Sequence, residues 1–129
     1  MVLDSSAIIA LLLDEPDADS FRLAIADAAT RLMSAATLVE ASLVIENRNG
    51  EAGGRELELL ISRLGIVVVP VDAEQAAEAR RGWRRFGRGR HPAGLNFGDL
   101  FSYALSKHSG EPLLFKGDDF ARTDVARVL

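Results

Sequence analysis

Acidic side chains recur in this sequence at points where a strand should end. Asp4 follows the apolar pair Val2–Leu3, and Asp118 and Asp119 follow the apolar run 113–115. Carboxylates that meet in one crevice can hold a divalent cation, because Mg²⁺ and Mn²⁺ prefer oxygen ligands. Such a cation polarises a phosphoryl oxygen and activates water, which supports hydrolysis of a phosphodiester bond. At each position the alternative is an ordinary turn, since Asp is also a common turn residue.

Glu40 is a third candidate, because its predicted helix should turn it inward. The residues three and four positions away are apolar or small. They form a stripe made of Ala36, Thr37, Leu43 and Val44. A carboxylate on such a stripe needs a cation or hydrogen-bond donors, since an unpaired buried charge is costly. An arginine partner is the structural alternative to a functional role.

Asp99 lies in the first turn of a predicted helix, three residues after the capping residue Asn96. An acid in that turn stabilises the helix terminus by about 0.3–1 kcal/mol, which is a sufficient reason for its presence. The start of a helix after a loop is also a usual place for functional groups in α/β folds. Phe97, Leu100 and Phe101 are expected on the packing face that Asp99 borders.

Apolar runs alternate with helical patterns along the whole chain, which predicts an α/β fold with a mainly parallel sheet, built as a three-layer α/β/α sandwich. The predicted strands are 2–3, 31–34, 66–69, 113–115 and a last one within 123–129. The predicted helices are 7–13, one around 21–28, 35–49, 51–64, 73–86 and 96–108. The β-branched run 66–69 should be buried on both faces. Ligands of such a sheet bind beyond the carboxyl ends of its strands, where the acids are expected.

Composition limits the kind of protein and of site. The 129 residues fit one domain, 1–129, and 48% of them are hydrophobic. The chain has no cysteine, which excludes disulfides and zinc–thiolate sites. No apolar run approaches the roughly 20 residues of a membrane span. Met1 leads directly into a strand without a basic leader, so we expect a cytoplasmic protein that does not bind membranes.

Basic charge is concentrated in one segment although the net charge is −4. This arginine segment, 80–90, holds Arg80, Arg81, Arg84, Arg85, Arg88 and Arg90. Helical spacing places the first four on one broad stripe, and arginines so arranged hold phosphate backbones in a salt-dependent way. A solvated helix face is the alternative. Trp83 and Phe86 are expected in the core or a dimer contact. His91 is expected to have no role, and a phosphate contact is the alternative.

Four motifs, in this order, resemble those of PIN-domain nucleases, and most of all the VapC-type toxins of bacterial toxin–antitoxin pairs. They are Val-Leu-Asp-Ser-Ser-Ala at 2–7, Ala-Ala-Thr-Leu-Val-Glu-Ala at 35–41, Leu-Asn-Phe-Gly-Asp-Leu at 95–100 and Leu-Leu-Phe-Lys-Gly-Asp-Asp-Phe at 113–120. The resemblance covers essentially the whole chain. It implies a magnesium-dependent endoribonuclease that cleaves structured RNA, usually tRNA or rRNA, with Mn²⁺ as a possible substitute metal.

The resemblance also assigns roles to residues and implies partners. Asp4 and Asp99 would be the principal metal ligands, and Glu40 would help to bind metal and orient water. Asp119 would be the fourth acid, with Asp118 as the alternative. The substrate-contacting residues would be Ser6, which could support either site or substrate, together with Arg84, Arg85, Arg88 and Arg90. A homodimer and a separately encoded VapB-like antitoxin are the implied partners.

Two other functions remain open from the residues. A phosphoacceptor receiver-like domain also clusters acids at strand ends, but it requires a lysine after a late strand, where Lys116 is only loosely placed. A catalytically silent RNA-binding module would bind RNA with a strong salt dependence and show no magnesium-dependent cleavage.

Overall fold

A four-stranded parallel sheet forms the centre of the computed structural model, which describes residues 1–129. The strands are β1 (Val2–Leu3), β2 (Leu32–Ser34), β3 (Val67–Val69) and β4 (Leu113–Leu114), in the order β3-β2-β1-β4. Strand β1 pairs with β2 on one side and with β4 on the other, so that Val2 lies opposite both Leu32 and Leu113. The first strand of the chain is therefore an inner strand of the sheet. The predicted α/β class is confirmed.

Five α-helices connect and cover the strands. They are α1 (Ser5–Leu12), α2 (Ala18–Asp27), α3 (Ala35–Arg63), α4 (Ala73–Phe86) and α5 (Phe97–Ser109), with a short 3₁₀ turn at Phe120–Arg122. Gly50 interrupts α3 with a φ of 68°. This conformation is accessible to glycine and separates the two helical halves that the sequence predicts on either side of position 50. No helix is both long enough and apolar enough to span a membrane.

The core lies in two clusters. Leu3, Ile8, Met33 and Ile45 pack with α1, α2 and α3, whereas Val2, Tyr103, Leu105 and Leu113 pack with α4 and α5. Successive residues of a strand point to opposite faces of a sheet, and Val2 and Leu3 accordingly belong to different clusters. Each fully buried Leu or Ile contributes about 1.5–3 kcal/mol, so the core holds β1 firmly in place. The predicted three-layer arrangement follows.

Two predicted strands differ from the structure. Strand β3 lies at the sheet edge, with Val67 57% exposed, so the prediction that it is buried on both faces is wrong. Its β-branched residues indicate a strand correctly, but local sequence does not say which strand ends the sheet. The C-terminal segment forms no last strand, because only one bridge joins Arg127 to Leu113.

Candidate active site

Asp4 lies where the inner strand β1 ends and α1 begins. Its backbone N–H donates to the carbonyl of Leu114 at 3.0 Å, and its side chain caps α1 by accepting from the N–H of Ser6. The residue is only 3% exposed. The carboxylate therefore occupies the predicted position at the carboxyl end of the strand, within the protein rather than at its surface.

Hydroxyl groups from two elements reach both oxygens of the Asp4 carboxylate. Ser6 Oγ donates to Oδ2 at 2.6 Å, and Ser102 Oγ donates to Oδ1 at 2.6 Å. The hydroxyl of Ser6 also accepts from the N–H of Lys116 at 3.0 Å. Ser6, predicted to support the site or the substrate, thus makes its hydrogen bonds within the protein. The buried carboxylate of Asp4 thus has the hydrogen-bond partners that a buried polar group requires.

Glu40 is partly buried on α3, although the reason given by the sequence is wrong. Leu43 is 65% exposed and Val44 is 47% exposed, so this part of the predicted stripe does not face the core. Thr37 is the buried member of the stripe, and the other buried residues of this half of α3 are Ala41 and Ile45. Glu40 is held by Ser5, whose hydroxyl donates to Oε1 at 2.6 Å.

The carboxylate of Glu40 also lies against the first turn of α5. A Cβ atom at Gly98 would come within 1.8 Å of Glu40 Oε2. No side chain larger than glycine fits at position 98 unless Glu40 moves, because heavy atoms cannot approach so closely. Gly98 therefore allows the Glu40 carboxylate to lie beside the residue that precedes Asp99.

Asp99 forms the predicted helix start and also has the most perturbed acidity of the site. It completes a capping box, in which Asn96 Oδ1 accepts from the N–H of Asp99 and Asp99 Oδ2 accepts from the N–H of Asn96. Burial raises the pKa of Asp99 from 3.8 to about 7, against the lowering effect of the bond from Asn96. The charges of Asp4, Asp119 and Glu40 contribute smaller parts of the same rise.

The effect of these charges on Asp99 indicates that four acids from separate parts of the chain lie in one neighbourhood. Of the two candidates in the segment after β4, Asp119 acts on Asp99, whereas Asp118 is not among the acids that do. Both residues are exposed. No three acidic or histidine side chains are grouped closely enough to hold a metal ion as they stand. The acids thus share a region without forming a closed set of ligands.

The arginine segment has three kinds of members. Arg81 pairs with Glu78 at 2.6 Å and Arg85 pairs with Asp124 at 3.0 Å, so these two are neutralised by neighbouring acids. Arg90 stacks on the ring of Trp83 at 4.1 Å. The remaining arginines of the segment, Arg80, Arg84 and Arg88, are exposed and make no ion pair.

The aromatic residues near this segment include both buried and exposed side chains. Phe86 is buried as predicted, and His91 packs edge-on against it and accepts from the N–H of Ala93 through Nδ1. Phe97 is 77% exposed, so its predicted place on the packing face is wrong. With Trp83, Leu95 and Phe101, Phe97 lines an open apolar groove between α4 and α5.

Residues 1–126 of the chain match the PIN domain family. Ribonuclease VapC from Mycolicibacterium smegmatis is 57% identical over 128 residues, which are 99% of each chain. Ribonuclease VapC30 from Mycobacterium tuberculosis is 56% identical over 99% of this chain and 98% of its own length. The chain belongs to the VapC-type PIN-domain ribonucleases.

Solved structures share the fold of this PIN domain. Mycobacterium tuberculosis VapC20, described as a sarcin–ricin loop cleaving toxin, matches with a TM-score of 0.78 and 17% identity over 97% of this chain and 95% of that one. VapBC2 from Rickettsia felis, bound to a DNA fragment from its promoter, matches with a TM-score of 0.76 and 14% identity, covering 98% and 94%. The family assignment replaces the receiver-like alternative, whose required lysine, Lys116, is ion-paired with Glu15.

Four residues of this PIN domain that contact the acids, or contact a residue that does, were not predicted from the sequence. They are Ser5, Thr37, Gly98 and Ser102. Spacing gives the available signal, because Ser102 follows Asp99 by one helical turn and Thr37 precedes Glu40 by one turn. A hydroxyl residue one turn from a candidate acid, on the same face of the helix, can contact the same site.

Proposed function

We propose that this PIN domain is a magnesium-dependent endoribonuclease toxin that hydrolyses RNA phosphodiester bonds and is inhibited by a VapB-like antitoxin. The main support is the convergence of Asp4, Glu40 and Asp119 on Asp99, whose pKa of about 7 reflects burial among other negative charges. Four carboxylates in one neighbourhood repel each other unless a cation compensates them. The relatives named ribonucleases give the activity its class.

The donor set fits Mg²⁺, with Mn²⁺ as a substitute. All four candidate ligands are carboxylates, the oxygen donors that these hard cations prefer, and the chain has no cysteine to favour a softer metal. Asp4 Oδ1 accepts only from Ser102 and keeps a second lone pair for a metal, whereas Oδ2 already accepts two hydrogen bonds from Ser6. When bound, the metal would polarise the scissile phosphate and lower the pKa of a coordinated water.

The protein's own residues would share the remaining work. Asp4 is held in one orientation by its hydroxyl donors, so it would contribute a fixed ligand. Asp99 and Glu40 would complete the ligand set from α5 and α3, and Glu40 would also orient the attacking water. Asp119 would be the fourth acid, since its charge contributes to the raised pKa of Asp99, and Asp118 is the alternative.

The arginine segment would hold the RNA backbone, mainly through its unpaired members. We propose Arg84 and Arg88 as the principal phosphate contacts, because Arg85 is already paired with Asp124 and Arg90 lies on Trp83. Each phosphate contact that is lost should lower the slope of log K against log salt by about 0.7 for single-stranded RNA. For the double variant Arg84→Ala/Arg88→Ala, the slope of log K against log salt should therefore be shallower than for the wild type by roughly 1–1.5.

The matched control for that experiment removes the same charge elsewhere. Arg48 and Arg63 are exposed on α3, outside the arginine segment. The Arg48→Ala/Arg63→Ala variant should keep the wild-type slope. Equal slopes for the two double variants would mean that the arginine segment does not contact the RNA backbone.

Two protein partners belong to the proposal. A homodimer would cover the apolar groove between α4 and α5, in which Phe97 is 77% exposed and Trp83 is 43% exposed. The antitoxin would cover exposed apolar side chains near Glu40, namely Val39, Leu43 and Val44. Extended apolar patches of this kind mark interaction surfaces. Which RNA is cleaved, tRNA or rRNA, would be read from the mapped cleavage ends.

The test is cleavage of total RNA by the purified protein in Mg²⁺ and in EDTA, followed by mapping of the ends. Asp4→Asn should abolish magnesium-dependent cleavage, because a neutral amide cannot replace a carboxylate ligand. The matched control is Asp72→Asn, since Asp72 also caps a helix, accepting from the N–H of Gln75 at 2.8 Å, but lies outside the acid cluster. RNA binding with no cleavage by the wild-type protein would favour the catalytically silent module instead.

A further inference from the structure

We propose that Thr37 and Ser102 are positioning residues for Asp4, whose hydroxyls form a buried relay that fixes the Asp4 carboxylate for metal binding. The inference rests on the proposed function and adds two residues to its site. Ser102 Oγ lies 2.6 Å from Asp4 Oδ1, and Thr37 Oγ1 lies 3.2 Å from Ser102 Oγ. Ser102 is 0% exposed and Thr37 is 1% exposed, so water does not compete for these bonds.

The direction of the relay follows from the proton count. An ionised carboxylate only accepts hydrogen bonds, so the single hydroxyl proton of Ser102 must point to Asp4. Ser102 Oγ can then only accept from Thr37, which makes Thr37 the donor of the second bond. The order is therefore Thr37 to Ser102 to Asp4. Each bond polarises the next, and together they hold the Asp4 carboxylate in one orientation.

The relay also joins the elements that carry the other acids. Thr37 lies one turn before Glu40 on α3, and Ser102 lies one turn after Asp99 on α5. Residues three apart on a helix lie on the same side. The two hydroxyls therefore form a layer beneath the acids and set the spacing of α3 and α5 relative to the end of β1.

Other serines on the same two helices show that this arrangement is not the default. Ser42 on α3 donates to the carbonyl of Leu38 at 2.9 Å, and Ser109 on α5 donates to the carbonyl of Leu105 at 2.6 Å. A bond to the carbonyl four residues earlier is the local solution open to a helical hydroxyl. Thr37 instead bonds across to Ser102 on α5, and Ser102 bonds to Asp4 at the end of β1, which links both hydroxyls to the site rather than to helix stability.

The experiment measures Mn²⁺ affinity by calorimetry, together with the Mg²⁺ concentration that gives half-maximal RNA cleavage. Removing a group that orients a metal ligand typically weakens metal binding about 10–100-fold, and we expect this loss for Ser102→Ala. Thr37→Val keeps the shape of the side chain and removes its hydroxyl, so it should weaken binding by a smaller factor. Thr37→Ser restores the hydroxyl and should restore the affinity.

The matched control is Ser106→Ala. Ser106 is buried on α5, one turn beyond Ser102, but its hydroxyl donates to the carbonyl of Glu111 at 2.7 Å. This variant should lose stability without losing Mn²⁺ affinity. Melting temperatures in EDTA separate the two effects. If Ser102→Ala fails to fold, the Mn²⁺ affinities of Thr37→Val and Thr37→Ser test the relay instead.

The outcomes separate this inference from the proposed function. A wild-type protein that binds Mn²⁺ and cleaves RNA, with Ser102→Ala no weaker than Ser106→Ala, overturns the relay and leaves the nuclease in place. Thr37→Val with unchanged Mn²⁺ affinity also overturns the relay as stated. A wild-type protein that neither binds Mn²⁺ nor cleaves RNA overturns both.

Discussion

Neutralising Asp99 should stabilise the metal-free protein while it destroys the proposed activity. The pKa of Asp99 is raised from 3.8 to about 7, first by burial and then by the charges of Asp4, Asp119 and Glu40. The folded protein keeps this proton up to about pH 7, whereas the unfolded chain releases it near pH 4. Wild-type stability therefore falls as the pH rises through this window. The variant Asp99→Asn removes the charge and keeps an oxygen that can accept from Asn96.

The magnitude follows from the pKa difference. At about 1.36 kcal/mol per pKa unit, the difference between the folded and unfolded pKa of Asp99 would lower the stability of the wild type by about 4 kcal/mol at pH 8. Asp99 is partly exposed, so solvent screening reduces this value, and a lost charge at the helix start costs about 0.3–1 kcal/mol. We expect a net gain of about 1–2 kcal/mol. For a chain of this length, that gain corresponds to a rise in Tm of about 4–7 °C.

The assay is thermal unfolding of wild type and Asp99→Asn in EDTA between pH 4 and pH 8. The gain should be largest at pH 8 and should become small near pH 4, where the carboxyl is protonated in the folded state and about half protonated in the unfolded chain. Millimolar Mg²⁺ should stabilise the wild type much more than the variant. Asp72→Asn, at the start of α4, should show no such gain at pH 8. A variant that is less stable than wild type at pH 8, or a gain that does not change with pH, would refute the reasoning.

Two other substitutions test how neighbouring contacts support the fold and the site. Gly98→Ala should lower magnesium-dependent cleavage at least tenfold, because its Cβ would lie 1.8 Å from Glu40 Oε2. Gly54→Ala, where the nearest atom is the end of an exposed, flexible glutamate, is the control and should keep full activity. Asp124→Asn should lower stability at pH 7 by about 1 kcal/mol, because it weakens the bond from Tyr103. Burial raises the pKa of Asp124, but hydrogen bonds from Tyr103 and Lys107 hold this pKa below its usual range. Urea unfolding should therefore show the stability difference between wild type and Asp124→Asn shrinking as the pH falls below 4.

The sequence predicts well those features that local chemistry decides. The break at Gly50 and the helix start at Asn96 both appear as predicted, because a left-handed glycine and a capping side chain act within a few residues. The position of Asp4 at a strand end is also local. The class of the fold follows from the alternation of such elements.

Features that depend on distant packing could not be predicted in this way. The strand Val67–Val69 has a buried composition but lies at the sheet edge, because sheet order is set by the connections between strands. Leu43 has the spacing of a core residue but is exposed, because α3 turns a different face to α1. The contact of Ser102 with Asp4 could not be predicted for a related reason, since the two residues lie 98 positions apart in the chain.

The pairing of β1 with β4 sets when during synthesis this protein can become active. All five helices lie in the chain between Asp4 and the strand that its backbone bonds, Leu113–Leu114. Asp119 comes later still. We therefore expect a chain whose synthesis stops before Leu113 to be harmless to the cell that makes it, because β1 then lacks its partner β4 and the four acids cannot assemble.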